Sequence, residues 1–225
     1  TDSLALDSLT RLSPLLVRYM AGRSNAVLEL KSKSVNIANL EGLDHQGRTL
    51  VAWSLNSPLI MAREEIRTAT LDERLQAAAQ CAEWGYGLAF HFDPIILHDG
   101  WQEGYRSTIR RLFAAVPAES VAWISMGALR YLPPLKQIAA ERFPGSRFFH
   151  QEFIDGLDGK RRYFRSQRVE MYRVILEELR KHASPSTCIY FCMENDAVWQ
   201  QVFGFAPEEQ GGLPAMLERS VGWPG

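Results

Sequence analysis

Apolar runs of strand length alternate with helix-period segments along almost the whole chain, and few folds accommodate that pattern. Residues 27–30, 49–56, 87–96, 121–129, 147–154 and 187–193 are rich in Val, Ile, Phe and Trp and are bounded by turn residues, so each reads as a strand. Between them, 71–84 follows Thr70 with Glu73 at the capping-box offset and ends at Gly85. Segment 101–116 stops at Pro117, and 134–143 stops at Pro144. Val169, Tyr172, Ile175, Leu176 and Leu179 form one stripe, which predicts an amphipathic helix over 165–182. Strands apolar on both faces, alternating with helices, imply a parallel α/β sheet, either doubly wound or a TIM-like barrel.

The length of 225 residues suits one domain with a sizeable core. Balanced charge (25 basic, 26 acidic) excludes a polybasic protein, although a local basic patch can still grip nucleic acid. No run approaches the roughly 18 apolar residues of a membrane span, and the N-terminus lacks a basic-then-apolar leader, so no membrane partner is expected. Three cysteines fit a reducing, cytoplasmic setting. The expected organisation is a partial barrel over 1–206, including a basic hairpin at 155–165, and an irregular Gly- and Pro-rich tail over 207–225.

No GxGxxG or GxxxxGK[ST] follows a strand, which argues against a nucleotide fold built on a Gly-rich phosphate loop. Polar groups sit instead at the strand C-termini: Lys33, Ser54 with Asn56, His91 with Asp93, Glu152 and Glu194. In a barrel those ends share one functional face. Lys33, Ser54 and Asn56 from neighbouring strands could hold one small polar ligand, or be no more than solvated strand ends. His91, Asp93, His98, Asp99, His150 and Glu152 are metal-ligand types without a fixed signature, so a metal-dependent hydrolase is one reading. Cys188 and Cys192 place both thiols on one face of a buried strand, and Cys81 lies inside a helix, so all three read as core. Lys160, Arg161, Arg162, Arg165 and Arg168 interleave with Tyr163 and Phe164, as in a nucleic-acid-binding module or a merely solvated basic face.

In order, TDSLALDSLT, LELKSKSVNI, TLVAWSLNS, ERLQAAAQCAEWGYGLAFHFDPI and DGWQEGY resemble the spore photoproduct lyase family of radical S-adenosylmethionine enzymes. The resemblance implies a partial (β/α)6 barrel with a [4Fe-4S] cluster on a C-x-x-x-C-x-x-C loop, S-adenosylmethionine as cofactor, an external electron donor, and a thymine-dimer-type lesion in DNA as substrate. It implies cofactor contacts from Thr1, Lys33, Ser54 and Asn56, and lesion contacts from Arg161, Arg162, Tyr163 and Arg165, with His91 and Asp93 standing where the spore enzyme is apolar. The cluster cysteines and the hydrogen-donor cysteine are absent, so the chain is expected to be the C-terminal part of such an enzyme, inactive alone, with an open sheet edge that makes it associate.

Overall fold

Every residue of the run Thr49–Ser54 is buried, on both faces of the strand it forms. That requires a layer on each side, and the structure, a computed structural model describing residues 2–222, supplies both. Among those residues the strands are β1 (Leu28–Ser32), β2 (Thr49–Ser54), β3 (Gly87–Ile95), β4 (Val121–Ala128), β5 (Arg130–Tyr131), β6 (Ile154–Asp155), β7 (Arg161–Arg162) and β8 (Cys188–Phe191). The helices are α1 (Asp7–Thr10), α2 (Leu12–Ala21), α3 (Pro58–Glu64), α4 (Leu71–Glu83), α5 (Trp101–Ala115), α6 (Pro134–Arg142), α7 (Arg165–His182), α8 (Asp196–Val202) and α9 (Gly212–Ser220). Strands β1-β2-β3-β4-β8 form one parallel sheet in that order. Thr70 and Glu73 close the capping box that starts α4.

Alternation along each strand divides the sheet's side chains between two faces. Trp53, Phe90, Phe92, Ile124, Met126 and Phe191 join the main core, with Leu75, Ile109, Tyr172 and Ile175 from α4, α5 and α7. On the opposite face, here termed inner, Leu50, Ala52, Ala89, Trp123 and Cys188 form a smaller cluster capped by Met216 and Leu217 of α9. The edge strand β1 has no further partner in the sheet among the described residues, and the preceding segment 6–15 exposes Leu6, Leu9, Leu12 and Leu15.

Three expectations are corrected. Segment 147–154 is not a sheet strand: Phe148–His150 is a 3-10 turn and only Ile154–Asp155 pairs. Its aromatics serve another purpose, since Phe149 and Phe153 pack edge-on against Tyr131 at 4.7 and 5.0 Å. Over its described residues, 207–222, the tail is not irregular. Pro207–Gln210 is a 3-10 turn, and Gly211 and Gly212, at φ of 84 and 86°, turn the chain into α9. Helices α1, α2, α3 and α8 lie where no helix is read from the sequence.

Candidate functional site at the strand C-termini

The register stacks the inner face into rows. Lys31, Ala52, Ala89, Trp123 and Cys188 lie level with one another, and one step nearer the strand C-termini lie Ser54, His91, Ser125 and Tyr190. Beyond them come Asp93, Gly127 and Cys192. The face thus turns from apolar to polar along the strands.

The upper row is cross-linked. His91 Nδ1 is 2.7 Å from Ser125 Oγ, and Tyr190 stands beside the same serine in the strand register. His91 Nε2 lies 3.1 Å from Glu29 Oε1, close enough to feel its charge though not aligned as a hydrogen bond. Trp123 Nε1 donates to Glu29 Oε2 at 2.7 Å. Burial pushes the Glu29 carboxyl up, but the His91 ring and the Trp123 N–H outweigh it and hold it below its usual range. Ser54 is the exception: its side-chain hydroxyl has no partner among the described residues, and it sits at the margin of the open end.

Lys33 Nζ pairs with Glu65 Oε1 at 2.8 Å. The other oxygen of Glu65 pairs with Arg74, which is fully buried and donates to the Ser54 carbonyl at 2.7 Å. One buried guanidinium therefore ties the Lys33 ammonium to the end of β2. Asp2 locks the end of β1, accepting from Ser32 Oγ and from the Lys33 backbone N–H at 2.7 Å each. Asn56 does not complete a cup with these two. Its amide donates to the Pro94 carbonyl at 2.8 Å and accepts from the Tyr105 hydroxyl at 2.6 Å, so it braces the exits of β2 and β3. Thr1 lies outside the described residues.

The run 154–162 forms the hairpin β6–β7, which pairs through β7 with β5 at the end of β4. Arg161 bonds Asp155 at 3.1 Å, and Arg162 pairs with Asp158. Arg165, at the start of α7, is exposed and has no ion-pair partner among the described residues. The expectation that Tyr163 contacts a ligand is corrected: it is fully buried, stacked on Phe153 at 4.9 Å, and its hydroxyl accepts from the Leu97 N–H. Arg168 is likewise buried, paired with Glu194 at 2.9 Å.

The metal-hydrolase set does not converge. His91 points along the inner row, His98 bonds Ser57 at 2.7 Å, and His150 is exposed on its 3-10 turn. Among the described residues no three His, Cys, Asp or Glu side chains gather to hold a metal. The cysteines do not fit an iron–sulfur cluster either. Cys81 is buried in α4, and burial pushes Cys188 up to about 11, which keeps it a thiol in the inner cluster. Cys192 is at the open end, where it contacts Arg130. Sequence reasoning passed over Glu29, Glu65, Arg74, Ser125 and Arg130. For Glu29, Arg74 and Ser125 the available signal was their polarity inside strand or helix runs; Glu65 and Arg130 lie beyond such runs. No described helix is long and apolar enough to cross a membrane.

The family model for spore photoproduct lyase matches residues 1–192. The spore photoproduct lyase of Bacillus subtilis (strain 168) is 26% identical over 185 residues, covering 81% of this chain and 52% of the relative. That of Geobacillus sp. (strain Y412MC61) is 27% identical over 165 residues, covering 72% and 47%. The chain therefore spans about half the length of the curated relatives it matches. Among solved structures, a spore photoproduct lyase double mutant with bound AdoMet and dinucleoside spore photoproduct superposes with a TM-score of 0.77 at 23% identity, over 85% of this chain and 58% of that one. A single mutant with dinucleoside spore photoproduct gives 0.77 at 23% identity, over 85% and 59%. With a matching family model over most of its length and the same parallel fold, the chain belongs to the spore photoproduct lyase family.

Proposed function

We propose that this chain forms the S-adenosylmethionine-binding and lesion-binding part of a radical lyase that acts on a thymine-dimer-type lesion in DNA. The observation that carries the reading is the Ser54 hydroxyl at the open end of the polar row, which has no partner among the described residues. The Lys33 ammonium is braced to the same strand end, through Glu65 and Arg74. These groups suit a polar nucleoside with a charged amino-acid end: Ser54 for a ribose or carboxylate oxygen, Lys33 as the fixed cation. Bound there, S-adenosylmethionine would supply the hydrogen-abstracting chemistry, and the chain's own part is to seat it and exclude water. The thiols of this chain do not suit the [4Fe-4S] cluster, so its ligands and the external electron donor belong elsewhere. The hairpin beside the open end, with Arg161, Arg162 and Arg165, would grip the phosphates flanking an extruded lesion.

Equilibrium dialysis of the purified chain against S-adenosylmethionine tests the seat. Saturable binding that weakens by about tenfold in Ser54→Val is expected. A folded chain with no binding, or with binding indifferent to Ser54 and Lys33 substitutions, would sink the assignment.

A further inference from the structure

Between the ends of β3 and β4 and helix α6 lies a cleft of about 600 Å³. One wall carries Asp93 and Arg130, with Lys160 reaching in from the hairpin; the other carries Leu132, Leu135 and Ile138. We infer that this cleft takes a single unstacked pyrimidine, held by its imide edge between Asp93 and Arg130. The inference rests on the DNA-lesion reading above and specifies how that lesion's base would be held.

Asp93 and Arg130 are opposite charges that do not close on each other. Asp93 Oδ2 stands 3.8 Å from Arg130 Nη2, beyond hydrogen-bond reach. Cys192 holds Arg130 in this position: Nη1 donates to the Cys192 carbonyl at 3.2 Å, and Nη2, the nitrogen that faces Asp93, also contacts the Cys192 sulfur at 3.3 Å. Asp93 has its place because residue 127 is glycine: a Cβ there would lie 2.7 Å from Asp93 Oδ1. The pair is thus a held-open acceptor beside a held-open donor. A carboxylate only accepts and a guanidinium only donates. A ligand bridging them must present an N–H next to a carbonyl oxygen. A phosphate would meet the Asp93 charge, and a cation would meet Arg130 and Lys160. A neutral imide meets neither obstacle. Its N–H would donate to Asp93 and its adjacent carbonyl would accept from Arg130. The exposed Leu132, Leu135 and Ile138 give the flat ring and a 5-methyl group an apolar shelf. Lys160 at the rim suits the phosphate of the same nucleotide.

Fluorescence anisotropy with a short labelled oligothymidylate, and with the same strand carrying N3-methylthymine, tests this. Methylation removes the imide donor. It is expected to weaken binding to the wild-type chain by about tenfold and to cost nothing further in Asp93→Ala. Gly127→Ala, which crowds the carboxylate, should lose part of the same preference with its thermal unfolding midpoint kept. Oligothymidylate binding with an equal methylation penalty in wild type and Asp93→Ala would overturn the inference and leave the DNA reading standing. So would the lack of any penalty in the wild type. If no oligonucleotide binds the folded wild-type chain, both fall.

Discussion

The inner face of the sheet behaves as two regions. Its lower half, around Ala52, Ala89, Trp123 and Cys188, is apolar and floored by Met216 and Leu217. Its upper half, around Ser54, His91, Asp93 and Ser125, is polar, and it opens toward the hairpin and α6. The strands and the alternation are the same in both. What differs is distance from the strand C-termini, and with it whether a side chain meets another element or a space. In parallel sheets the C-terminal ends are where loops leave room for ligands, and this chain keeps its apolar packing and its polar groups a few residues apart on the same strands.

The comparison breaks most visibly in the lower half. Trp123→Ala should cost about 3–5 kcal/mol of stability, read by urea unfolding, because it opens a cavity between the sheet and α9 and removes the indole N–H from Glu29. Leu217→Ala, on the half-buried face of α9, should cost about 1–2 kcal/mol. A negligible cost for both would mean that α9 is not a floor. Glu29 sits at the border of the two halves and gives a pH test. Its folded pKa is below its ordinary value of 4.5, so its contribution is present above about pH 4.5 and is lost as pH falls through the folded value. Stability measured down that range should drop, and Glu29→Gln should flatten the drop. In the upper half the changes in stability should be small. Ser54→Ala is expected to shift unfolding by less than about 0.5 kcal/mol; a larger loss would move Ser54 into the structural half. Arg165→Ala should leave stability unchanged and reduce the salt slope of DNA binding by about 1, whereas Arg161 and Arg162, already paired with acids, should each contribute less.

Much of this could be read from the residues. The three central strands, β2, β3 and β4, declare themselves as apolar and aromatic runs, because a strand buried on both faces has little room for polar residues. The α4 start was legible from Thr70 and Glu73, since a capping box is a local device. Long-range choices were not legible. The aromatics of 148–153 look like a strand until Tyr131 is known to be their partner. The glycines before α9 read as an irregular tail, yet they make the turn that delivers Met216 and Leu217 to an apolar surface formed far upstream. At the site, residue type singled out Lys33, Ser54 and Asp93. It could not tell that Asn56 and Tyr163 are turned into the structure, because both are polar residues whose bonding partners, Tyr105 and Leu97, are distant in sequence.

The flooring of the sheet by α9 has a consequence for biosynthesis. Ribosomes release chains from the N-terminus, so β1 to β4 emerge while the helix that will cover Trp123 and Ala89 is still untranslated. Until Gly212–Ser220 follows, a nascent chain carries a sticky, unroofed sheet, the kind of surface that recruits chaperones or neighbouring polypeptides. A stop codon just ahead of α9 would therefore do its harm through aggregation during translation, although it removes no group from the polar strand ends.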